Sequence, residues 1–312
     1  MSAAVSVAVA GVHVLDTHVI GVESIPSGSQ GQLVETIRMS AAGTAGGTGL
    51  VLARLGCAVR SFGAVGTDPI AETLLALLRA EGIDVGGLLR RADVQTSASV
   101  LPVRPNGDRP AWHCIGANGA FALDDLAPDA LDDVAHLHLG GPEFLGGPAA
   151  GELLARARAV GATTSLDLLA PGDPDLLAWV ADALPQCDYL LPNDEQVLGL
   201  TGASDLASGA LALVQAGAGC VAVTAGARGA VVVTAEETIE VPAFAIDVVD
   251  TTGCGDAFSA GFLRGRLEGL SLAEAARLGC AAAAQVAAGL GTDAGSYDLD
   301  SVRAFAEATP TR

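Results

Sequence analysis

Along most of this chain, short apolar runs alternate with amphipathic segments of helical period. The runs VSVAVAG (5–11), AVRSFGAVG (58–66), VAHLHLG (134–140), TTSLDLL (163–169), CDYLLPN (187–193) and GCVAVTAG (219–226) read as buried strands. Between them, GGTGLVLARLG (46–56), DPIAETLLALLRAEG (68–82), AAGELLARARAVG (149–161), DPDLLAWVADALPQ (173–186) and DLASGALALVQAG (205–217) carry their apolar residues at helical spacing. Two long helices are expected near 256–268 and 271–289. A strand that rejoins a sheet after a helix lies parallel to its predecessor, by a right-handed crossover. The expected fold class is therefore α/β: an open, mostly parallel sheet flanked by helices on both faces. The longest uncharged run, 206–227, is interrupted by Gly209, Gln215, Gly217 and Gly219, and reads as a helix and then a buried strand, not as a membrane span. No internal repeat or low-complexity linker divides the chain, so residues 1–312 are read as one domain.

Two segments break the rhythm. Residues 19–37 and 96–114 carry alternating or turn-rich β patterns without helices, and Asn106-Gly107-Asp108 between two strand-like arms is a hairpin signal. They are expected to form a small β-sheet, inserted at about 17–40 and 95–118, that projects from the main body. A projecting sheet suits a lid over a ligand site; decoration or a dimer contact suits the pattern equally.

Composition removes several chemistries. The net charge of −20 argues against nucleic acid or an anionic membrane as partner. All sixteen basic residues are arginine. Without lysine there is no Walker-type phosphate loop, no protein-kinase lysine and no lysine Schiff base. A bound phosphate must be held by backbone N–H groups, arginine, a helix end or a metal. The six cysteines (57, 114, 187, 220, 254, 280) form no C-x-x-C pair, so neither a zinc site nor a disulfide framework is expected, and a reducing, cytoplasmic setting fits. The apolar N-terminus lacks a basic leader and reads as a first strand.

The chemistry concentrates in VVDTTGCGDAFSAGF, 248–262. An apolar run ends at Asp250; Gly253 and Gly255 then bracket Cys254, and Asp256 opens a helix. Glycines let an anion approach their N–H groups, and the helix adds its positive end. A carboxylate at 256 faces that same positive end and is expected to stay ionised, able to accept a proton from an attacking hydroxyl. Spacing alone fits an ordinary aspartate cap after a glycine turn as well.

The stretch 250–262 resembles the signature of the ribokinase family, the phosphofructokinase-B-type small-molecule kinases, whose pattern is Asp-Thr-x-Gly-Ala-Gly-Asp. Within that core only Cys254 departs, standing for alanine. AGGTGLVLARLG with the strand and helix after it resembles the family's Gly-Gly helix; DYLLPNDEQVLGLTG its Pro-Asn-x-x-Glu segment; VAVTAGARGAVV the strand and turn of its nucleotide site; GLGTDAGS its terminal Gly-Ala loop. The likeness runs through almost the whole chain in order, lid insertions included.

The resemblance implies a ribokinase-like fold and ATP-dependent phosphorylation of a hydroxyl on a sugar or sugar-like molecule, with Mg²⁺. By match, Asp256 is the base and Gly253, Cys254 and Gly255 form the anion hole. Asp16, placed near the end of strand one, binds sugar hydroxyls, as do Gly46 and Gly47 at a helix start; Asp16 alone reads equally as a turn residue. Asn193 arranges phosphate and Mg²⁺-bound water, and Thr224, Gly226 and Gly229 bound the ATP site. Asp250 and Thr252 match positions that hold a monovalent cation, such as K⁺, in some relatives. Separately, an exposed β-lid suits a homodimer formed through the lid. A nucleoside kinase of the same fold, or a sugar- or nucleotide-binding protein weakened in catalysis, are the alternatives.

Three departures bear on substrate and metal. The family glutamate after Asn193 is Gln196, the position five past Gly46 is Val51 rather than asparagine, and the partner of the sugar-binding aspartate is His13. Arg104, Arg109 and Arg228 are candidate phosphate contacts, though each also suits a solvated surface. Trp112 and His113 on a lid arm, with Phe121, are the aromatic candidates for stacking on a ligand. His136 and His138 are read as facing opposite sides of their strand, and as poor metal ligands.

Overall fold

The computed structural model describes residues 4–104 and 110–312. The hairpin turn expected at 106–108, and Arg109, lie outside the described residues. In chain order the elements are β1 (Ser6–Gly11), β2 (Val14–Ile20), β3 (Thr36–Ala42), α1 (Thr44–Arg54), β4 (Ala58–Gly66), α2 (Pro69–Ala80), β5 (Asp84–Arg91), β6 (Ala98–Val103), β7 (Trp112–Cys114), β8 (His136–Gly140) and α3 (Gly147–Ala159). They continue with β9 (Thr163–Asp167), α4 (Pro174–Val180), β10 (Tyr189–Leu190), α5 (Asp194–Thr201), α6 (Leu206–Gln215), β11 (Val221–Thr224), β12 (Ala230–Val233), β13 (Thr238–Val241), α7 (Cys254–Leu267), α8 (Leu272–Ala287) and α9 (Leu299–Ala308).

Nine of the described strands form one sheet in the order β13-β12-β11-β10-β9-β8-β1-β4-β5. All its pairings are parallel except β11–β12 and β12–β13. Period-two alternation splits the core. Val7 and Val9 of β1 join a cluster with α1, α2, α7 and α8, while Ala8 and Ala10 join α3, α5 and α6 on the other face. Local chemistry sets the helix ends. Asp68 accepts a bond from the Ala71 N–H at 2.9 Å and Pro69 stands at the first helical position, so α2 starts there. Its Ala71, Leu74, Leu75 and Leu78 recur at helical spacing and are buried; each leucine contributes about 1.5–3 kcal/mol. α7 and α8 approach so closely that a Cβ on Gly261 would lie 2.8 Å from the Gly279 Cα, which is why this helix pair is rich in glycine and alanine.

The second sheet has four strands in the order β3-β2-β6-β7. Its strands come from two segments of the chain, β2–β3 and β6–β7, with β2 starting at Val14. Asp16 therefore stands third in β2 of this small sheet and not at the end of the first strand, because the chain breaks at His13 and turns out of the main sheet. The expected helix over 173–186 is α helical only to Val180; the turns through Ala181–Gln186, which include Pro185, tighten to 3-10 geometry. Among the described residues no single helix is long and apolar enough to cross a membrane.

Candidate active site

From β1 the strand order runs outward through β4 to one edge and through β8 to the other, so the switch point lies between β1 and β8. In such sheets ligands collect beyond the strands' C-terminal ends at that point. There the loops after β1, β8 and β9 meet the N-termini of α1 and α7.

Asp256 occupies the first turn of α7, after Gly253 at φ 76°. Its carboxylate lies against the first turn of α1: a Cβ on Gly47 would stand 2.3 Å from Asp256 Oδ2. Only glycine at 47 leaves the Asp256 carboxylate this room. The neighbouring Gly46 faces His13 in the same way, at 3.2 Å from the ring. Gly253 is confined by Thr292, whose hydroxyl oxygen would be 2.4 Å from a side chain there. Gly255 differs. Its backbone is ordinary helix, and nothing in the protein lies within 4 Å of where its Cβ would be. A glycine inside a helix costs about 1 kcal/mol relative to alanine, so the protein itself gains nothing from it. The space beside it is open and large enough for a bulky group. The Cys254 N–H already reaches the Thr251 carbonyl at 3.3 Å.

The electrostatics correct the expectation that Asp256 stays ionised. Burial, with repulsion from Asp16 second, lifts its pKa from 3.8 to about 8. The helix end favours the anion by only about 0.3–1 kcal/mol, and desolvation outweighs it. A carboxyl so raised is a stronger base once deprotonated. Asp16 is itself raised by burial, against a lowering hydrogen bond from Ser99 and the charges of His18 and His113.

Two acids that the sequence reading did not single out lie near Asp256. Asp167 ends β9, and burial, then Asp256 and Glu143, push its pKa well up. Its signal was available: it is the acid at the C-terminal end of a predicted strand. Glu143 follows β8 and accepts N–H bonds from Leu169 (2.7 Å) and Ala170 (2.9 Å) through Oε1, while its Oε2 is buried without a partner. Gln196 holds the same loop from the other side, donating from Nε2 to the carbonyls of Leu168 (2.9 Å) and Ala170 (3.0 Å). Its Oε1 accepts the Asn193 N–H at 2.9 Å while Asn193 Oδ1 caps Gln196 N–H at 2.8 Å. The amide at 196 is thus a structural clasp, and a glutamate could not donate those two bonds. Glu143 and Gln196 together set the segment that follows Asp167.

Thr224, Gly226 and Gly229 line one cavity of about 280 Å³ with Cys254 and Gly255. Its other walls include Phe244, Ile246, Val248 and Ala283, a mostly apolar slot that ends at the glycine turn. Asn193 pairs with Thr224 as a β-bridge beside it, its side-chain oxygen engaged as the α5 cap. The Asp250 carboxylate accepts from Thr252 N–H (3.0 Å), Thr252 Oγ1 (2.9 Å) and Gly291 N–H (2.9 Å), and so fastens the 250–252 loop to the loop at 291.

Other candidates fall away from the cleft. Val51 is fully buried in the core, which accounts for its apolar side chain. Phe121 is buried in the other core cluster. Arg228 pairs with Asp194 at 2.8 Å. Trp112 stands in register with exposed Val100, on the opposite face of the small sheet from His113. His136 and His138 face the same side of β8, not opposite sides: both rings bond the Ser165 hydroxyl, at 2.9 and 2.8 Å. Residues two apart in a strand share a face. No group of three or more metal-ligating side chains gathers among the described residues.

The family model for pfkB family carbohydrate kinases matches residues 9–298. A nucleoside kinase from Methanothermobacter thermautotrophicus is 27% identical over 300 residues, 94% of this chain and 93% of that one. An uncharacterized sugar kinase from Archaeoglobus fulgidus is 30% identical over 231 residues, 73% of this chain and 90% of its own. Among solved structures, the Arabidopsis thaliana ribokinase complexed with ribose and ATP superposes with TM-score 0.83 at 22% identity, covering 98% of this chain and 99% of that one. The Thermotoga maritima ribokinase gives 0.81 at 22% identity, with 97% and 99% covered. At these identities the two structures show a shared ribokinase-like fold.

Proposed function

The chain belongs to the pfkB family of carbohydrate kinases, and on that premise we propose that it transfers the γ-phosphoryl group of ATP to a hydroxyl of a sugar-like small molecule, with Asp256 as base. The observation that carries this reading is the pairing of the Asp256 carboxylate, seated against Gly47, with the open space beside Gly255. An alcohol bound between Asp16 and Asp256 would lose its proton to Asp256 as it attacks. The Gly253 and Gly255 amides, with the adjoining Cys254, would receive the charge on the phosphoryl oxygens, at the N-terminus of α7. The apolar slot bounded by Thr224, Gly226 and Gly229 would take the nucleotide base and ribose, with Asn193 beside the phosphates.

The raised carboxyls of Asp167 and Glu143 repel each other, and Glu143 Oε2 is buried without a partner, a donor set that fits a metal arriving with the nucleotide. Mg²⁺ there would neutralise phosphate charge, and Asp167 and Glu143 would hold its waters. At the 250–252 loop the Asp250 carboxylate already accepts from Thr252 and Gly291, so a K⁺ bound there would take main-chain oxygens as ligands.

The small sheet would close over the acceptor and exclude water. Its outer face exposes Ile37, Met39, Val100 and Trp112 together, and a second copy of the chain is the occupant we propose for it. The charge of −20 leaves nucleic acid out of the reading, and six free cysteines suit the cytoplasm.

A nucleoside acceptor is the second reading, supported by the nucleoside kinase among the relatives. Against it, neither Trp112 nor Phe121 faces the cleft to stack on a base. A protein that binds without turnover loses one of its motives, because Gln196 and Val51 have structural roles. ATP consumption over a panel of sugars and nucleosides, with Mg²⁺ and with K⁺ or Na⁺, tests all three. Turnover with a sugar supports the first reading and turnover only with nucleosides the second. Ligand-induced thermal stabilisation without turnover would leave binding alone.

A further inference from the structure

A buried polar chain runs along β8 and β9. It lies on the α1 side of the main sheet, because Leu137 and Leu139 of β8 take the opposite face. The Thr163 hydroxyl stands 2.8 Å from His136 Nδ1, and His136 Nε2 stands 2.9 Å from the Ser165 hydroxyl. That hydroxyl also lies 2.8 Å from His138 Nδ1. His138 Nε2 ends the chain, 3.1 Å from the carbonyl of Thr44, the first helical residue of α1.

Each bond in the chain has one allowed direction. A carbonyl only accepts, so His138 carries a proton on Nε2 and donates it to Thr44. Both rings are buried, and burial pushes His138 down to about 4 and His136 down to about 3, so both are neutral near pH 7. His138 Nδ1 is then a bare lone pair, and Ser165 gives it its only proton. Ser165 Oγ in turn accepts from His136 Nε2–H, which leaves His136 Nδ1 to accept from Thr163. The chain thus ends in a donor aimed at the start of α1.

That helix start is built against β8. A Cβ on Gly140, the last residue of the strand, would lie 2.4 Å from the Ala45 nitrogen, so the first turn of α1 rests directly on it. The Ala45 and Gly46 N–H groups both reach the Val12 carbonyl, at 3.1 Å. The same turn carries Gly46 beside His13 and Gly47 beside Asp256. No residue of α1 lines the nucleotide cavity. A fully bonded buried network contributes little net stability and instead fixes geometry. We propose that His138 is a positioning residue: by donating from Nε2 to the Thr44 carbonyl it sets the first turn of α1, and with it the place where an acceptor hydroxyl meets Asp256. This rests on the reading of the Gly46–Gly47 turn as acceptor site and of Asp256 as base. Ser165 fixes the tautomer that makes the donation possible.

Three measurements test this: steady-state kinetics with the acceptor found by the panel, calorimetric binding of Mg²⁺-ADP without acceptor, and proton–nitrogen correlation spectra of the histidine rings. In the unsubstituted protein His138 should hold a neutral ring with its proton on Nε2 from about pH 6 to 9. A proton on Nδ1 instead, or a charged ring, would overturn the tether. His138→Phe keeps a ring and removes the donor. Its kcat/KM for the acceptor should fall about 10-fold, the worth of one such hydrogen bond, with ADP affinity unchanged. His138→Gln should recover most of the loss, because its amide Nε2 can donate where the imidazole Nε2 stood. His136→Phe leaves Ser165 its proton and His138 its tautomer, so it should lower stability and keep the parental kcat/KM. A parental kcat/KM in His138→Phe, a glutamine no better than phenylalanine, or an equal loss in His136→Phe would overturn the positioning role while the kinase reading stood. No ATP consumption by the unsubstituted protein with any acceptor would instead remove the kinase reading, and this role with it, whatever the spectra showed.

Discussion

Replacing Asp256 by asparagine sets two opposing effects on one side chain against each other. The α7 N-terminus favours the carboxylate by about 0.3–1 kcal/mol. Burial and Asp16 oppose it and carry the pKa from 3.8 to about 8. At about 1.4 kcal/mol for each tenfold change in proton affinity, a shift of that size amounts to roughly 6 kcal/mol. The residue is only partly buried, and solvent screening brings the expectation to about 2–3 kcal/mol. The folded-state pKa lies above the unfolded one, so between pH 3.8 and about 8 the folded chain holds the extra proton. Stability then falls as pH rises through that window, and the whole penalty is present above it. Asparagine is neutral at every pH and has nearly the same shape. Asp256→Asn should therefore melt roughly 4–6 °C above the parent near pH 8.5, with the gap closing toward pH 5. Turnover should fall about 10²–10⁴-fold, with nucleotide affinity little changed. Paired thermal melts across pH in the absence of nucleotide, with ATP consumption at the same pH values, read both. A variant less stable than the parent, or a gap indifferent to pH, would show that the helix end outweighs desolvation. A near-normal rate would remove Asp256 as the base.

Three substitutions and a pH profile test the rest of the site. The kcat/KM for the acceptor should rise with pH and level off above about 8, because the base must be deprotonated in the free protein; a flat profile from pH 6 to 9 would contradict the raised carboxyl. Gly255→Ala should fold as well as the parent, or be up to about 1 kcal/mol more stable, and yet lose most activity through a methyl placed in the anion space; an active alanine variant would empty that space of meaning. Gln196→Glu should lose about 3 kcal/mol in denaturant titrations, and more at high pH, since a carboxylate would face the carbonyls of Leu168 and Ala170; parental stability would show the clasp to be dispensable. Trp112→Ser combined with Met39→Ser should shift sedimentation from dimer to monomer, and a protein that sediments as a monomer without any change would withdraw the lid-to-lid contact.

Much of the architecture was legible because it follows from period. Runs alternating in depth along β1, β4, β8, β9 and β11 can be buried on both faces only inside a helix-covered parallel sheet. The glycine signature announced the α7 turn, since Gly253 and Gly255 in that spacing leave backbone N–H groups uncovered. β5, the β12–β13 edge and α9 went unread: β5 holds Gly86, Gly87 and two arginines, so its pattern is no clear strand signal. The identity of Asp16 was legible but its element was not, because a single break at His13 diverts the chain from one sheet to the other.

Taken alone, the amino-acid order determined which segments are strands and helices, that phosphate has no lysine to meet, and where one carboxylate and three small residues adjoin in the chain. It could not determine which distant groups share a space. The contact of Asp256 with Gly47, the second pair of acids at Asp167 and Glu143, and the conversion of position 196 into a clasp each join residues far apart in sequence. The proton affinity of Asp256 belongs to that same class. Its helix position argues for a charged group, yet burial against α1 and the nearness of Asp16 decide otherwise, because desolvation and repulsion depend on everything that packs around a charge and on no single segment of the chain.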